Sequence, residues 1–176
     1  MDPSRLPIRV LLVDDESDQL DIAELGLSNN GDEFTVLLES SPLAAVKLVH
    51  SSPIDCIVSD YLMPEMDGLE LCKKLRAEGY ETPFIVFTGQ GSEEVAERAF
   101  DVGADNYIRK EKNLSVYAVL AKSIKSLVLR HRAEESLRDS EERYRSLFSN
   151  MSSAFAYIKI IYDSNMKPVD FIFFGY

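Results

Sequence analysis

Short apolar runs and amphipathic stretches alternate along the first two thirds of the chain. Residues 8–13 form an apolar run that stops abruptly at Asp14-Asp15-Glu16, as a strand buried on both faces would. Residues 16–29 then place Leu20, Ala23, Glu24 and Leu27 at helical spacing, with Asn29-Asn30-Gly31 as a stop signal. Residues 34–38 read as a second strand. Ser40-Ser41-Pro42 opens a second helix, with proline where the first turn tolerates it. Ala44, Ala45, Leu48 and Val49 give that helix its apolar side.

Pro53 breaks the pattern, and residues 54–58 predict a third strand ending at Ser59-Asp60. The turn Met63-Pro64-Glu65-Met66-Asp67-Gly68 leads into a helix over 69–78. A fourth strand, 84–87, ends at Thr88-Gly89. A helix over 93–102 closes on Gly103, and a short fifth strand, 106–108, ends at Arg109-Lys110. Strand and helix alternate throughout, which predicts a doubly wound α/β fold: a five-stranded parallel sheet with helices on both faces. Right-handed crossovers leave few topologies; if the strand order is 2-1-3-4-5, the carboxyl ends line one rim and the first and third strands are neighbours. In such sheets ligands bind beyond the carboxyl ends of the strands.

Charge sharpens this picture. The net charge is −11, and residues 1–112 carry 10 basic and 23 acidic side chains. So acidic a segment argues against gripping nucleic acid. No apolar run is long enough to span a bilayer, and the first residues lack a signal-peptide core, so a cytoplasmic protein is expected. Cys56 and Cys72 have no partner at metal spacing and read as buried free thiols.

The predicted strand ends carry the candidate chemistry. Asp14 and Asp15 follow the first strand, Asp60 the third, Thr88 and Gly89 the fourth, and Lys110 the fifth. Taken singly, each has a commonplace reading. An Asp pair favours a helix N-terminus, Thr88 suits a turn, Tyr107 a half-buried strand, and Lys110 a surface. Converging on one rim, they do more. Two carboxylates ~4 Å apart repel by roughly 4 kcal/mol at an effective dielectric of about 20. Lys110 offsets part of this, and a hard divalent cation such as Mg²⁺, which prefers carboxylate oxygens and water, would offset more. A phosphoryl group adds about two negative charges, which the metal, Lys110, the Thr88 hydroxyl and the Gly89 amide could hold.

In this order and spacing, Leu11-Leu12-Val13-Asp14-Asp15-Glu16, Ser59-Asp60 with the loop through Gly68, Thr88-Gly89, and Gly103-Ala104-Asp105-Asn106-Tyr107-Ile108-Arg109-Lys110 resemble the receiver domains of two-component signalling. The resemblance covers residues 1–112. It implies that Asp60 accepts a phosphoryl group from a phosphohistidine on a histidine kinase or phosphotransfer protein. It implies that Asp15 and Asp60 bind Mg²⁺ directly with the Leu62 backbone carbonyl, while Asp14 acts largely through water. Lys110 would neutralise phosphoryl oxygens, Thr88 would move to meet them, and Tyr107 would rotate inward behind it. The family usually has a proline after the lysine, often after a cis bond; here Glu111 stands there, and cis would cost ~2.5–4 kcal/mol before a non-proline residue. Two other readings compete. An Mg²⁺-dependent phosphatase of the haloacid-dehalogenase type would place its nucleophile after the first strand in an Asp-x-Asp context. A non-phosphorylated scaffold receiver would usually lack the acceptor or the lysine.

No proline or glycine interrupts residues 114–150. Tyr117, Leu120, Ile124 and Leu127 form a seam at alternating spacings of three and four. Leu137, Tyr144, Phe148 and Met151 resume it beyond the polar stretch Arg130–Glu134. Residues 113–150 are therefore expected to be the last receiver helix continuing as a signalling, coiled-coil helix, and a homodimer is expected through it. His131-Arg132-Ala133-Glu134-Glu135 matches the phosphoryl-accepting histidine context poorly. The stretch from Arg138 to Phe148 resembles the start of PAS sensor domains, and strands at 154–162 and 169–175 around the turn 163–168 read as a hairpin. Residues 151–176 are thus expected to be a truncated PAS start. The expected function is that of a phosphorylation switch within a phosphorelay, whose intact parent could be a hybrid histidine kinase.

Overall fold

The computed structural model describes residues 7–28, 33–111, 113–149, 156–163 and 166–175. The expected helix stop at Asn29-Asn30-Gly31, the boundary at Lys112, Met151 of the seam, positions 154–155 of the hairpin and the middle of its turn lie outside them, as does the side chain of Phe148. The chain divides into two units, Met1–Glu134 and Glu135–Tyr176.

In the first unit the strands are β1 (Ile8–Val13), β2 (Phe34–Glu39), β3 (Cys56–Ser59), β4 (Phe84–Thr88) and β5 (Asn106–Arg109). They make one parallel sheet in the order β2-β1-β3-β4-β5. The helices between them are α1 (Ser17–Ser28), α2 (Pro42–Ser51), α3 (Gly68–Ala77) and α4 (Glu93–Asp101); α5 (Ser115–Ser149) follows β5. The central strands β3 and β4 are buried along their whole length, as their unbroken apolar sequences require.

Strand alternation splits the core into two layers. Val10, Leu12, Val58, Ile85, Phe87 and Ile108 face α1 and α5. Leu11, Val13, Ile57, Phe84 and Val86 face α2 and α3, with Ala99 of α4 in the same layer. On α5 the seam residues Tyr117, Leu120, Ile124 and Leu127 all belong to the first layer, so this part of the expected seam is spent on the sheet.

The helix starts follow local chemistry. Ser41 caps α2, its Oγ accepting from the Ala44 N–H at 3.3 Å, with Pro42 opening the first turn. Asp67 and Glu70 make a reciprocal capping box on α3, at 2.8 and 3.0 Å, so the helix begins at Gly68. The third strand begins at Cys56, two residues later than the apolar run implied. Just before it, the Arg9 N–H donates to the Asp55 carboxylate at 2.8 Å while the Asp55 N–H donates to the Arg9 carbonyl at 2.9 Å, so a side chain takes up the Arg9 N–H that a longer strand would have paired. The free thiols Cys56 and Cys72 are both buried, and burial pushes them up, Cys72 to about 11, which leaves them unreactive.

The second unit holds the last turns of α5 and an antiparallel hairpin, β6 (Ala156–Tyr162) and β7 (Pro168–Gly175). Its register pairs Ile158 with Phe173 and Ile160 with Phe171. Among the described residues no helix is long and apolar enough to cross a membrane.

Candidate functional site at the carboxyl ends of the strands

The sheet's hydrogen bonding runs one residue past its strands, and this aligns the site. The Asp60 N–H donates to the Val13 carbonyl, and the Lys110 N–H to the Thr88 carbonyl, both at 2.8 Å. Asp14 and Asp60 therefore leave neighbouring strands side by side, and Lys110 leaves β5 beside Thr88, the last residue of β4.

The Lys110 ammonium bridges the two carboxylates, donating to Asp14 Oδ2 at 2.6 Å and Asp60 Oδ1 at 2.8 Å. All three side chains are largely withdrawn from water, Lys110 being 16% exposed. The other oxygen of Asp60 accepts from the Leu62 N–H at 2.7 Å, and that of Asp14 from the Glu16 N–H at 3.0 Å. Burial holds the Asp14 carboxyl above its ordinary range despite Lys110. Burial would lower Lys110, but its bonds to Asp14 and Asp60 outweigh it and hold the ammonium above its ordinary range. A charged lysine is thus locked between two carboxylates.

Thr88 is buried beside them. Its Oγ1 accepts from the Gln90 N–H at 3.2 Å and donates to the Gln90 carbonyl at 3.3 Å. Gly89 is exposed at the rim. A cleft of about 510 Å³ opens here, lined among others by Asp60, Leu62, Thr88, Gly89 and Lys110. Tyr107 is half-buried against the layer that faces α2 and α3. No cis peptide occurs among the described residues, so the bond from Lys110 to Glu111 is trans.

Of the expected site residues, Asp14, Asp60, Thr88 and Lys110 are brought together. Asp15 is exposed next to them, and no set of three or more metal-ligating His, Cys, Asp or Glu side chains is gathered among the described residues. The donors still suit a hard cation chemically. They are all oxygen, and two buried carboxylates with Asp15 beside them outnumber one lysine.

Sequence reasoning missed several contributors. Gly68 backs Asp60: a Cβ there would collide with the Asp60 backbone carbonyl. Gly91 packs under the Tyr107 hydroxyl and 3.4 Å from the Thr88 methyl, as measured from an added Cβ. Phe87 lies beneath Lys110. The glycines could be noticed in the loops that follow β3 and β4, but their neighbours come from elsewhere in the fold.

The family model for the response regulator receiver domain matches residues 10–121. The chain is 35% identical over 105 residues to the response regulator MprA of Mycobacterium sp. (strain KMS), covering 60% of this chain and 45% of that protein. The match therefore spans about half the length of such relatives. Among solved structures it resembles the Francisella response regulator 1452 receiver domain, with TM-score 0.63 and 26% identity, covering 70% of this chain and 98% of that one. It also resembles the chemotaxis response regulator CheY4 of Vibrio cholerae, with TM-score 0.61 and 26% identity, covering 68% and 99% respectively.

Proposed function

The chain belongs to the response regulator receiver domain family, and from that premise we propose that it is a phosphoacceptor module of a two-component phosphorelay, with Asp60 as the acceptor. The observation that carries this reading is the lysine clamp: one ammonium, 2.6 Å from Asp14 and 2.8 Å from Asp60, at the carboxyl rim of the sheet. Receiver domains take their phosphoryl group from histidine kinases or phosphotransfer proteins, and a phosphohistidine is the donor proposed here.

An Asp60 carboxylate oxygen attacks phosphorus; the P–N bond to the imidazole breaks, a P–O bond forms, and the imidazole leaves. The product is an aspartyl phosphate. Lys110 already hydrogen-bonds an Asp60 oxygen and can follow the developing charge onto the phosphoryl oxygens. The Thr88 hydroxyl and the Gly89 N–H would hold those oxygens, and Tyr107 would fill the space behind Thr88. Asp15, Asp60 and the Leu62 carbonyl would hold Mg²⁺, with Asp14 acting through water. When bound, the cation supplies charge neutralisation between acceptor and donor. The phosphatase and scaffold readings lose ground to the family match and to the acceptor and lysine being paired.

The proposed organisation is a receiver core over residues 1–112, a signalling helix over 113–150 and the start of a PAS-type sensor domain over 151–176. The exposed seam beyond Arg132 supports dimerisation through that helix. A cytoplasmic setting fits a phosphorelay.

The test is intact mass after incubation with a small phosphodonor and Mg²⁺. One phosphoryl group is expected on the native chain, and much less after chelation of the metal. Asp60→Asn should gain none, because an amide is a poor nucleophile. An Asp60→Asn protein that gains one at the native rate overturns the assignment.

A further inference from the structure

Lys110 is not held by carboxylates alone. Its ammonium lies 5.7 Å from the centroid of the Phe87 ring, within the ~6 Å over which a ring face attracts a cation. Phe87 meets Tyr117 of α5 edge-on, with centroids 5.7 Å apart and planes at 70°. Both rings are buried. Tyr117 in turn rests directly on Gly26 of α1, where a Cβ would come within 2.5 Å of its Cγ and 2.7 Å of its Cβ.

This row lies on the opposite side of the sheet from Tyr107. Phe87 and Tyr117 belong to the layer that faces α1 and α5, whereas Tyr107 packs in the layer that faces α2 and α3. We propose that Phe87 and Tyr117 form a second readout of the acceptor site, passing the position of the Lys110 ammonium to α5 independently of Thr88 and Tyr107. The proposal rests on the phosphoacceptor reading of Asp60.

A phosphoryl group brings about two negative charges to the cleft side of Asp60. The ammonium follows that charge and changes its distance from the Phe87 face. Phe87 carries the change to the Tyr117 edge. Tyr117 has no slack toward α1, because Gly26 already lets the ring touch backbone. A close-packed interior transmits such a displacement instead of absorbing it, so it reaches the first turns of α5. The row is short, contiguous and built of rigid rings, which is the physical requirement for coupling.

The experiment is hydrogen exchange of the α5 amides between Val116 and Val128, read by mass spectrometry on the whole chain. In one arm, phosphodonor and Mg²⁺ are added and uptake is checked by intact mass. The native chain and Tyr117→Phe, which keeps the ring, should show a severalfold change in exchange. Tyr117→Leu should lose that change. In the other arm no phosphodonor is present and Lys110→Met removes the ammonium. It should shift the same amides in the native and Tyr117→Phe backgrounds but not in Tyr117→Leu. An equal response in Tyr117→Leu and Tyr117→Phe, in either arm, overturns the proposal. A native chain that takes up no phosphoryl group refutes the acceptor reading, and the Lys110→Met arm then decides the coupling by itself.

Discussion

Gly91 is the residue on which the two expected switch side chains converge. An added methyl there would meet the Tyr107 hydroxyl first and then the Thr88 methyl, so the position admits hydrogen only while Tyr107 stays half-buried. Gly91→Ala should overpack this junction and cost about 1–3 kcal/mol. Tyr107→Phe removes the nearest atom and should restore part of the loss. The check is a double-mutant cycle by urea unfolding. Neighbours in contact should depart from additivity, and strictly additive costs would show that the two residues do not meet. The strand-end residues Asp14, Asp60, Thr88 and Lys110 were legible in the sequence, because each ends an apolar run at a recognisable spacing. Gly91, Phe87 and Tyr117 were not legible as parts of the site. Their roles depend on partners that the fold supplies from distant positions, and an aromatic inside a strand or helix carries no mark of what lies over its ring.

Among elements, α5 shows where a sequence pattern underdetermines its partner. Tyr117, Leu120, Ile124 and Leu127 have a seam's spacing, yet they pack on the sheet; a stripe says that a face is covered and not by what. The polar break after them also has a use within the first unit. Arg132 donates to Asp55 at 2.8 Å, and Arg130 lies 3.7 Å from Asp105, so two aspartates at the amino ends of β3 and β5 hold this turn against the receiver body. A smaller tie joins α2 to α3. Glu78, just past α3, meets Lys74 and His50, both at 2.8 Å, and these bonds, that of Lys74 foremost, hold its carboxyl below the usual range. A carboxyl lowered in the fold contributes stability above its unfolded value of ~4.3 and loses it as pH falls through the folded value. Glu78→Gln should therefore lower the urea midpoint slightly at pH near 6, since the pair is solvent-exposed. The native and variant midpoints should converge as acid protonates Glu78. A gap that stays constant into acid would assign the effect to packing and not to charge.

At the scale of the whole molecule, an acidic stretch, with 10 basic against 23 acidic side chains over residues 1–112, gives way to segments with apolar surface and little net charge. In the second unit Leu137 and Tyr144 are each 62% exposed. They stand seven residues apart, so both lie on one stripe of the helix. The hairpin also leaves Ile158, Ile160, Val169 and Phe171 exposed. An apolar stripe on a helix and an apolar face on a two-stranded hairpin both favour cover from water. The seam of the first unit cannot provide it, being spent on the sheet. A second copy can, because a heptad-spaced stripe is self-complementary in a parallel pair. Sedimentation of the native chain should therefore show a dimer. Leu137→Glu with Tyr144→Glu should dissociate it by placing like charges along the stripe, while Phe171→Glu on the hairpin should leave it intact. If only the hairpin variant dissociates, the pairing runs through β6 and β7 and not through the helix. A native chain that stays monomeric at high concentration, phosphorylated or not, rules out signalling by a change of register in a helical pair.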